Sequence, residues 1–151
     1  NREIMSNVGA MSIIILLARS PNSETSSYAV KVIANLAQHE DARLDLLDNN
    51  VIMALVALTE SPDLSKELVK LIAYSFSNLS VVEKFAGKLV TENVVAALLR
   101  LQNFMGDGSV ASLLANTIRS MVGCVDTLEM CVEDGAIELL GLLTKVVDSK
   151  W

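Results

Sequence analysis

Apolar positions along this chain return at helical rather than strand spacing. Leu68, Leu71, Ile72, Phe76 and Leu79, with Ser75 among them, follow the i, i+3, i+4, i+7 progression that lays one broad stripe along a helix, and this stripe is predicted to face a core. Two shorter runs precede it, near Asp41 to Leu47 and from Val51 to Thr59, so this part of the chain reads as two short helices followed by a long one from Ser65 to Asn78. The grouping recurs. Gly9-Ala10-Met11, Asn50-Val51-Ile52, Asn93-Val94-Val95 and Gly135-Ala136-Ile137 open apolar runs at intervals of 41, 43 and 42 residues. A second marker stands 15 residues before each later start: Asn35-Leu36-Ala37, Asn78-Leu79-Ser80 and Ser120-Met121-Val122. Variation in length falls around Pro21, Pro62 and Met105, where loops are expected. Ser20-Pro21 and Ser61-Pro62 can end one helix and begin the next, because proline lacks the donor a helix interior needs but fits a first turn. Gly106-Asp107-Gly108-Ser109 takes that place in the third unit, with Ser109 as the expected helix cap.

A period near 42 residues without strand-like alternation predicts an all-α solenoid, in which each unit buries its apolar face against the next. The whole chain, 1–151, reads as a single repeat domain. A partial repeat at 1–8 leads into repeats at roughly 9–49, 50–92 and 93–134, and a partial repeat at 135–151 follows.

Counting back one helical turn at a time from each marker gives three columns: Asn35, Lys31 and Ser27; Asn78, Tyr74 and Lys70; Ser120, Asn116 and Ser112. All nine are polar or amphipathic. Residues four apart share a helix face, so each column is a polar stripe opposite the apolar one, and the three stripes are expected to lie side by side. Any amphipathic helix has a wet face, which accounts for much of this grid without any ligand.

With these markers in place, the chain resembles the armadillo repeat family: three helices in about 42 residues, a Gly-Ala-Ile start to the second helix at 135–137, and an Asn-Leu-Ala near the end of the third at 35–37. The resemblance runs from a first-helix tail at Arg2 to Met5 through to a second helix at Ile137 to Val147. It implies a right-handed α-solenoid of three-helix repeats, with two-helix HEAT-like repeats as the neighbouring alternative. It also implies that the third helices line a concave groove, where Asn35 and Asn78 stand at the position that clamps an extended peptide backbone. An amide suits that task, since it offers an acceptor and two donors to a passing peptide unit whatever its side chains. Each such bond adds about 1 kcal/mol net, so two rungs alone predict weak binding. The importin-alpha branch of the family carries Trp four residues before its Asn. Here Lys31, Tyr74 and Asn116 stand there, so only Tyr74 can imitate an aromatic wall and carriage of nuclear-import cargo is not expected. Ser120 breaks the Asn ladder.

Composition narrows the partner. A chain that is 52% hydrophobic and 20% charged can build a core and does not read as disordered. A net charge of -6 argues against nucleic acid, which needs clustered Lys and Arg. No apolar run approaches the roughly 20 residues of a membrane span. The start Asn1-Arg2-Glu3 has no initiator Met and no signal-peptide pattern, so the chain reads as a piece of a longer cytoplasmic protein, with a nuclear location as the second option. Acidic residues gather off the grid, at Glu40, Asp41, Asp45 and Asp48 and again at Glu129, Glu133 and Asp134. Lys31, Lys66, Lys70 and Arg119 stand on or beside it. This points to an acidic or phosphorylated extended segment, against the plain reading that these cations keep a wet face soluble.

Chemistry finds no foothold. Cys124 and Cys131 fall short of a zinc set and read as free buried thiols, while the one histidine, His39, reads as favouring the dipole at a helix C-terminus. No nucleophilic triad, cofactor or metal site is expected, and Asn78-Leu79-Ser80 reads as a chance glycosylation sequon. The expected function is therefore a non-enzymatic protein–protein interaction module. It would hold a partner through Ser27, Lys31, Asn35, Lys70, Tyr74, Asn78, Ser112, Asn116, Arg119 and Ser120. The rivals are a structural element that self-associates through Ile4, Met5, Val146, Val147 and Trp151 at uncapped ends, and a regulatory arm of a larger multidomain enzyme.

Overall fold

The computed structural model describes residues 9–148, and among them there is no strand. The helices, in chain order, are α1 Ala10–Ala18, α2 Ser23–Leu36, α3 Glu40–Asp48, α4 Val51–Thr59, α5 Lys66–Leu79, α6 Ala86–Thr91, α7 Val94–Arg100, α8 Gly108–Val122, α9 Val125–Glu133 and α10 Ala136–Asp148. The expected division into a short, a short and a long helix is realised by α3, α4 and α5, and again by α6, α7 and α8. Three helices per unit, rather than two, set the HEAT-like alternative aside. Ile4, Met5 and Trp151 lie outside the described residues, as do the first-helix tail and the side chain of Val147.

Backbone chirality explains the residues that open each unit. Gly9, Asn50, Asn93 and Gly135 all adopt positive φ, at 70°, 62°, 65° and 108°, and each joins a first helix to a second or stands immediately before a second helix. Glycine enters this left-handed region freely, and Asn is among the few other residues that visit it routinely. Among the described residues no other position has positive φ, so the repeat punctuation read from the sequence is a conformational requirement. At Gly135 a Cβ would also come within 3.0 Å of Leu99 Cδ1.

Each long helix starts on a side-chain cap. Asn22 accepts from the Thr25 N–H at 3.0 Å, Ser65 from Leu68 at 3.1 Å and Asp107 from Ser109 at 2.9 Å. The expected cap at Ser109 is thus corrected to Asp107. A carboxylate satisfies the orphan first-turn donors as well as a hydroxyl does and complements the positive end of the helix dipole. His39 is also corrected. The turn after α2 is so short that His39, while its N–H still donates to the Leu36 carbonyl, is already the N-cap of α3, where a cation gains nothing from the dipole.

Second helices α1, α4, α7 and α10 stack in one layer and long helices α2, α5 and α8 in another, with α3, α6 and α9 closing the edge. Between the layers lies a continuous core. Ile33, Phe76 and Ile118 fill the same place in the three long helices, two residues before each marker, and all are fully buried. Hydrophobic contact is supplemented by a polar tie between units: Lys88 Nζ donates to the Leu47 carbonyl at 2.9 Å and to Asn50 Oδ1 at 3.3 Å, closing the C-terminal end of α3. At the far end Ile137 and Leu140 are 66% and 42% exposed, whereas Ile52, Leu55, Val95 and Leu98 at the equivalent places inside are fully buried.

Candidate functional site

The ten expected site residues lie on the three long helices, and none of them belongs to the buried core. On α2, Lys31 and Asn35 are exposed and Ser27 half-buried; on α5, Lys70 is exposed and Tyr74 and Asn78 half-buried; on α8, Ser112, Asn116 and Arg119 are exposed and Ser120 half-buried. Because α5 packs between α2 and α8, the three polar stripes are neighbours. Lys70, Tyr74 and Ser112 are brought to one place: they line a groove of about 510 Å³ between α5 and α8, with Leu71, Leu113, Glu67 and Ser109 as the other walls.

Two features of that groove were not legible from the grid. Its apolar floor is Leu71 and Leu113, although the spacing of Leu71 places it in the core stripe. Seven residues before each marker stand Tyr28, Leu71 and Leu113, and since i and i−7 share a helix face, this column was the available signal. The other feature is charge. Asp107 Oδ2 lies 3.4 Å from Lys66 Nζ and 3.8 Å from Lys70 Nζ, so two of the cations on or beside the grid lean on an acid from the next unit. With Glu67 beside them, the two cations face two anions at this rim. The Ser109 hydroxyl and N–H, followed by the two lysines, hold the Asp107 carboxyl well below the ordinary carboxylate range.

That depression has a testable sign. A carboxylate with a lowered folded-state pKa adds stability that is present above its ordinary value of 3.8 and lost as pH falls through the depressed one. Replacing Asp107 by Ala should therefore lower the melting temperature at pH 7, with the gap to wild type narrowing at strongly acid pH. Asp107→Asn keeps a cap and should recover most of the loss. Circular dichroism melts across pH check this, and an alanine variant as stable as wild type at pH 7 would remove the cap from the account.

The amides differ from one another. Asn78 Nδ2 is buried with no hydrogen-bond partner, and Glu92 Oε2 shares that condition. Glu92, which directly follows α6, has its carboxyl raised by burial, with partial relief from Lys88. Ser120 Oγ donates to the Asn116 carbonyl of its own helix at 3.1 Å, which is why a serine there offers less than an Asn rung would. A larger hollow of about 740 Å³ lies at the outer turns near Pro21 and Ser61. Three of its hydroxyls serve the fold: Ser20 and Ser61 accept from turn N–H groups, and Ser26 donates to the Ala18 carbonyl at 2.6 Å.

Cys131 is buried, and that burial raises its thiol pKa, while Cys124, expected to be buried, is only partly so because it stands at the N-cap of α9. Among the described residues no group of three or more His, Cys, Asp or Glu could hold a metal ion, and no helix is long and apolar enough to cross a membrane.

No protein-family model matches the chain, and no curated protein matches it. Solved structures do. A designed armadillo repeat protein superposes on 91% of this chain with a TM-score of 0.79 at 21% identity. A second, solved in complex with the peptide (KR)4, gives the same three values. An engineered protein of known crystal structure matches 86% of the chain with a TM-score of 0.75 at 17% identity. The chain spans 58% of the length of each designed armadillo protein and 54% of the engineered one. At these identities the likeness concerns the fold: a right-handed α-solenoid of armadillo-type three-helix repeats.

Proposed function

We propose that the concave face of this armadillo-type solenoid, formed by α2, α5 and α8, holds an extended segment of a protein partner. The observation that carries the reading is the half-buried Asn78, whose amide N–H group has no acceptor within the protein, on the same helix as the Tyr74 and Lys70 that line the groove. A donor sealed from solvent without an acceptor is costly, so turning the Asn78 amide out toward the groove, where a ligand carbonyl accepts from it, recovers free energy. No existing hydrogen bond from that donor has to be broken first. Neighbouring long helices lie about 8–10 Å apart, close to the length of three extended residues at about 3.3 Å each. Asn35 and Asn78 can thus hold one backbone at intervals without reading its side chains. The designed protein bound to (KR)4 has the same fold, which supports peptide holding as a use of this architecture. An acidic preference now rests mainly on Lys31 and Arg119, since Lys66 and Lys70 lean on Asp107.

The test is affinity capture with wild type beside an Asn35→Ala, Tyr74→Ala, Asn78→Ala triple variant, both shown to be folded by circular dichroism. Partners held by the groove should be lost from the variant by a factor of about 10 or more, given roughly 1 kcal/mol for each rung and the loss of the Tyr74 wall. If every partner is retained equally by both, the concave face is not the binding face. A self-associating structural role is the rival reading, and the exposed Ile137 and Leu140 favour it.

A further inference from the structure

Resting on that concave-face reading, we infer that the groove between α5 and α8 is a subsite for one large apolar side chain of the bound segment, and that this anchor, rather than charge, sets what the segment must carry. Its volume of about 510 Å³ exceeds that of any single side chain, so a Leu, Met or Phe can enter with its backbone at the rim. Leu71 and Leu113 form the floor, Tyr74 one wall, and the stems of Glu67 and Lys70 with the short side chains of Ser109 and Ser112 complete the lining. Such a floor offers nothing to a charged group and would leave its charge desolvated.

Charge balance points the same way. Lys66 and Lys70 are positive, Glu67 and Asp107 negative, and Asp107 lies within 3.8 Å of both lysines. The rim is therefore near neutral and attracts neither an acidic nor a basic side chain over the other. The second observation is Asn78, one turn beyond Tyr74 on α5, whose unpartnered amide donor is buried as it stands and, turned toward the groove, can take a backbone carbonyl of the same segment. Backbone holding at Asn78 and side-chain insertion beside Tyr74 together define a subsite. On α8 the equivalent of Asn78 is Ser120, whose hydroxyl is turned back to its own helix, so the combination does not recur there.

The experiment uses the 151-residue chain and four dodecapeptides of Ser, Thr and Gly that differ only at one central residue: Leu, Phe, Glu or Lys. Binding is read from amide shifts in two-dimensional NMR titrations. Leu and Phe peptides should bind at least about fivefold tighter than Glu or Lys peptides, the scale expected for partial burial of one apolar side chain. Ser112→Trp, at an exposed position on the groove wall, fills the space and should erase that preference while leaving the folded spectrum elsewhere intact. Asn78→Ala should weaken all four peptides alike. Equal binding of the four peptides, a preference for Glu or Lys, or an apolar preference that survives Ser112→Trp overturns the anchor while leaving the groove standing. Failure of all four to bind overturns both the anchor and the concave-face reading.

Discussion

Phe76→Ala is expected to cost about 3–5 kcal/mol of stability. Phe76 is fully buried in α5, the helix packed between α2 and α8, and it fills the column that Ile33 and Ile118 occupy in the flanking units. Truncation removes most of an aromatic ring from water-free packing and leaves a cavity that stiff neighbouring helices close only in part. In a stacked array each unit is stabilised chiefly by its neighbours, so a defect in the middle unit loosens contacts on both sides. For a chain of this size the expected fall in Tm is roughly 10 °C or more. Phe76→Leu, which keeps most of the volume, should lose much less, about 1.5 kcal/mol or under. A thermal melt of Phe76→Ala within about 3 °C of wild type would show that the layers repack around the void and that the core is not continuous through this unit.

The second large effect belongs to the backbone. Asn50 and Asn93 hold φ of 62° and 65°, a region where a β-branched side chain is crowded against its own backbone. The double variant Asn50→Val, Asn93→Val is expected to lose about 2–4 kcal/mol, from about 1–2 at each turn, adding because the two turns belong to separate units. Neither Asn caps its following helix through its side chain, and the bond that Asn50 Oδ1 accepts from Lys88 is lost in valine and glycine variants alike, so the difference between the two variants reports conformation. The matched double glycine variant should stay within about 1 kcal/mol of wild type, since glycine adopts this conformation without strain and Gly9 and Gly135 already occupy the equivalent places. Equal melting of the valine and glycine variants would mean that the turns relax out of the left-handed region, and the account of the repeat punctuation would be wrong.

These two predictions mark how unevenly the molecule was written into its sequence. The stripe through Leu68, Ile72, Phe76 and Leu79 located α5 and its buried face, and every residue in it except Leu71 is buried as expected. Leu71 is the informative exception. Its spacing is that of a core residue, but it stands at the edge of the stripe, where the neighbouring helix determines whether it is covered. Helix caps were legible only as a class: a run such as Gly106-Asp107-Gly108-Ser109 contains two capping residues, and the register of α8 decides that Asp107 is the one used. His39 misled for a related reason, because a residue between two nearly touching helices lies near opposite ends of two dipoles.

The sequence by itself determined the helices, their order in threes, the positions of the left-handed turns and the polar stripe on each long helix. All of these follow from interactions within a few residues, where helix geometry ties i to i+3 and i+4 and where only Gly and Asn enter positive φ readily. The tertiary structure alone decided that Asp107 meets Lys66 and Lys70, that Leu71 and Leu113 floor a common groove, and that the Asn78 amide is buried without a partner. The ion pairs and the groove floor join residues about 40 positions apart. They depend on how far each unit is rotated and shifted on the last, which is set by the summed packing of whole helix faces and not by any local pattern.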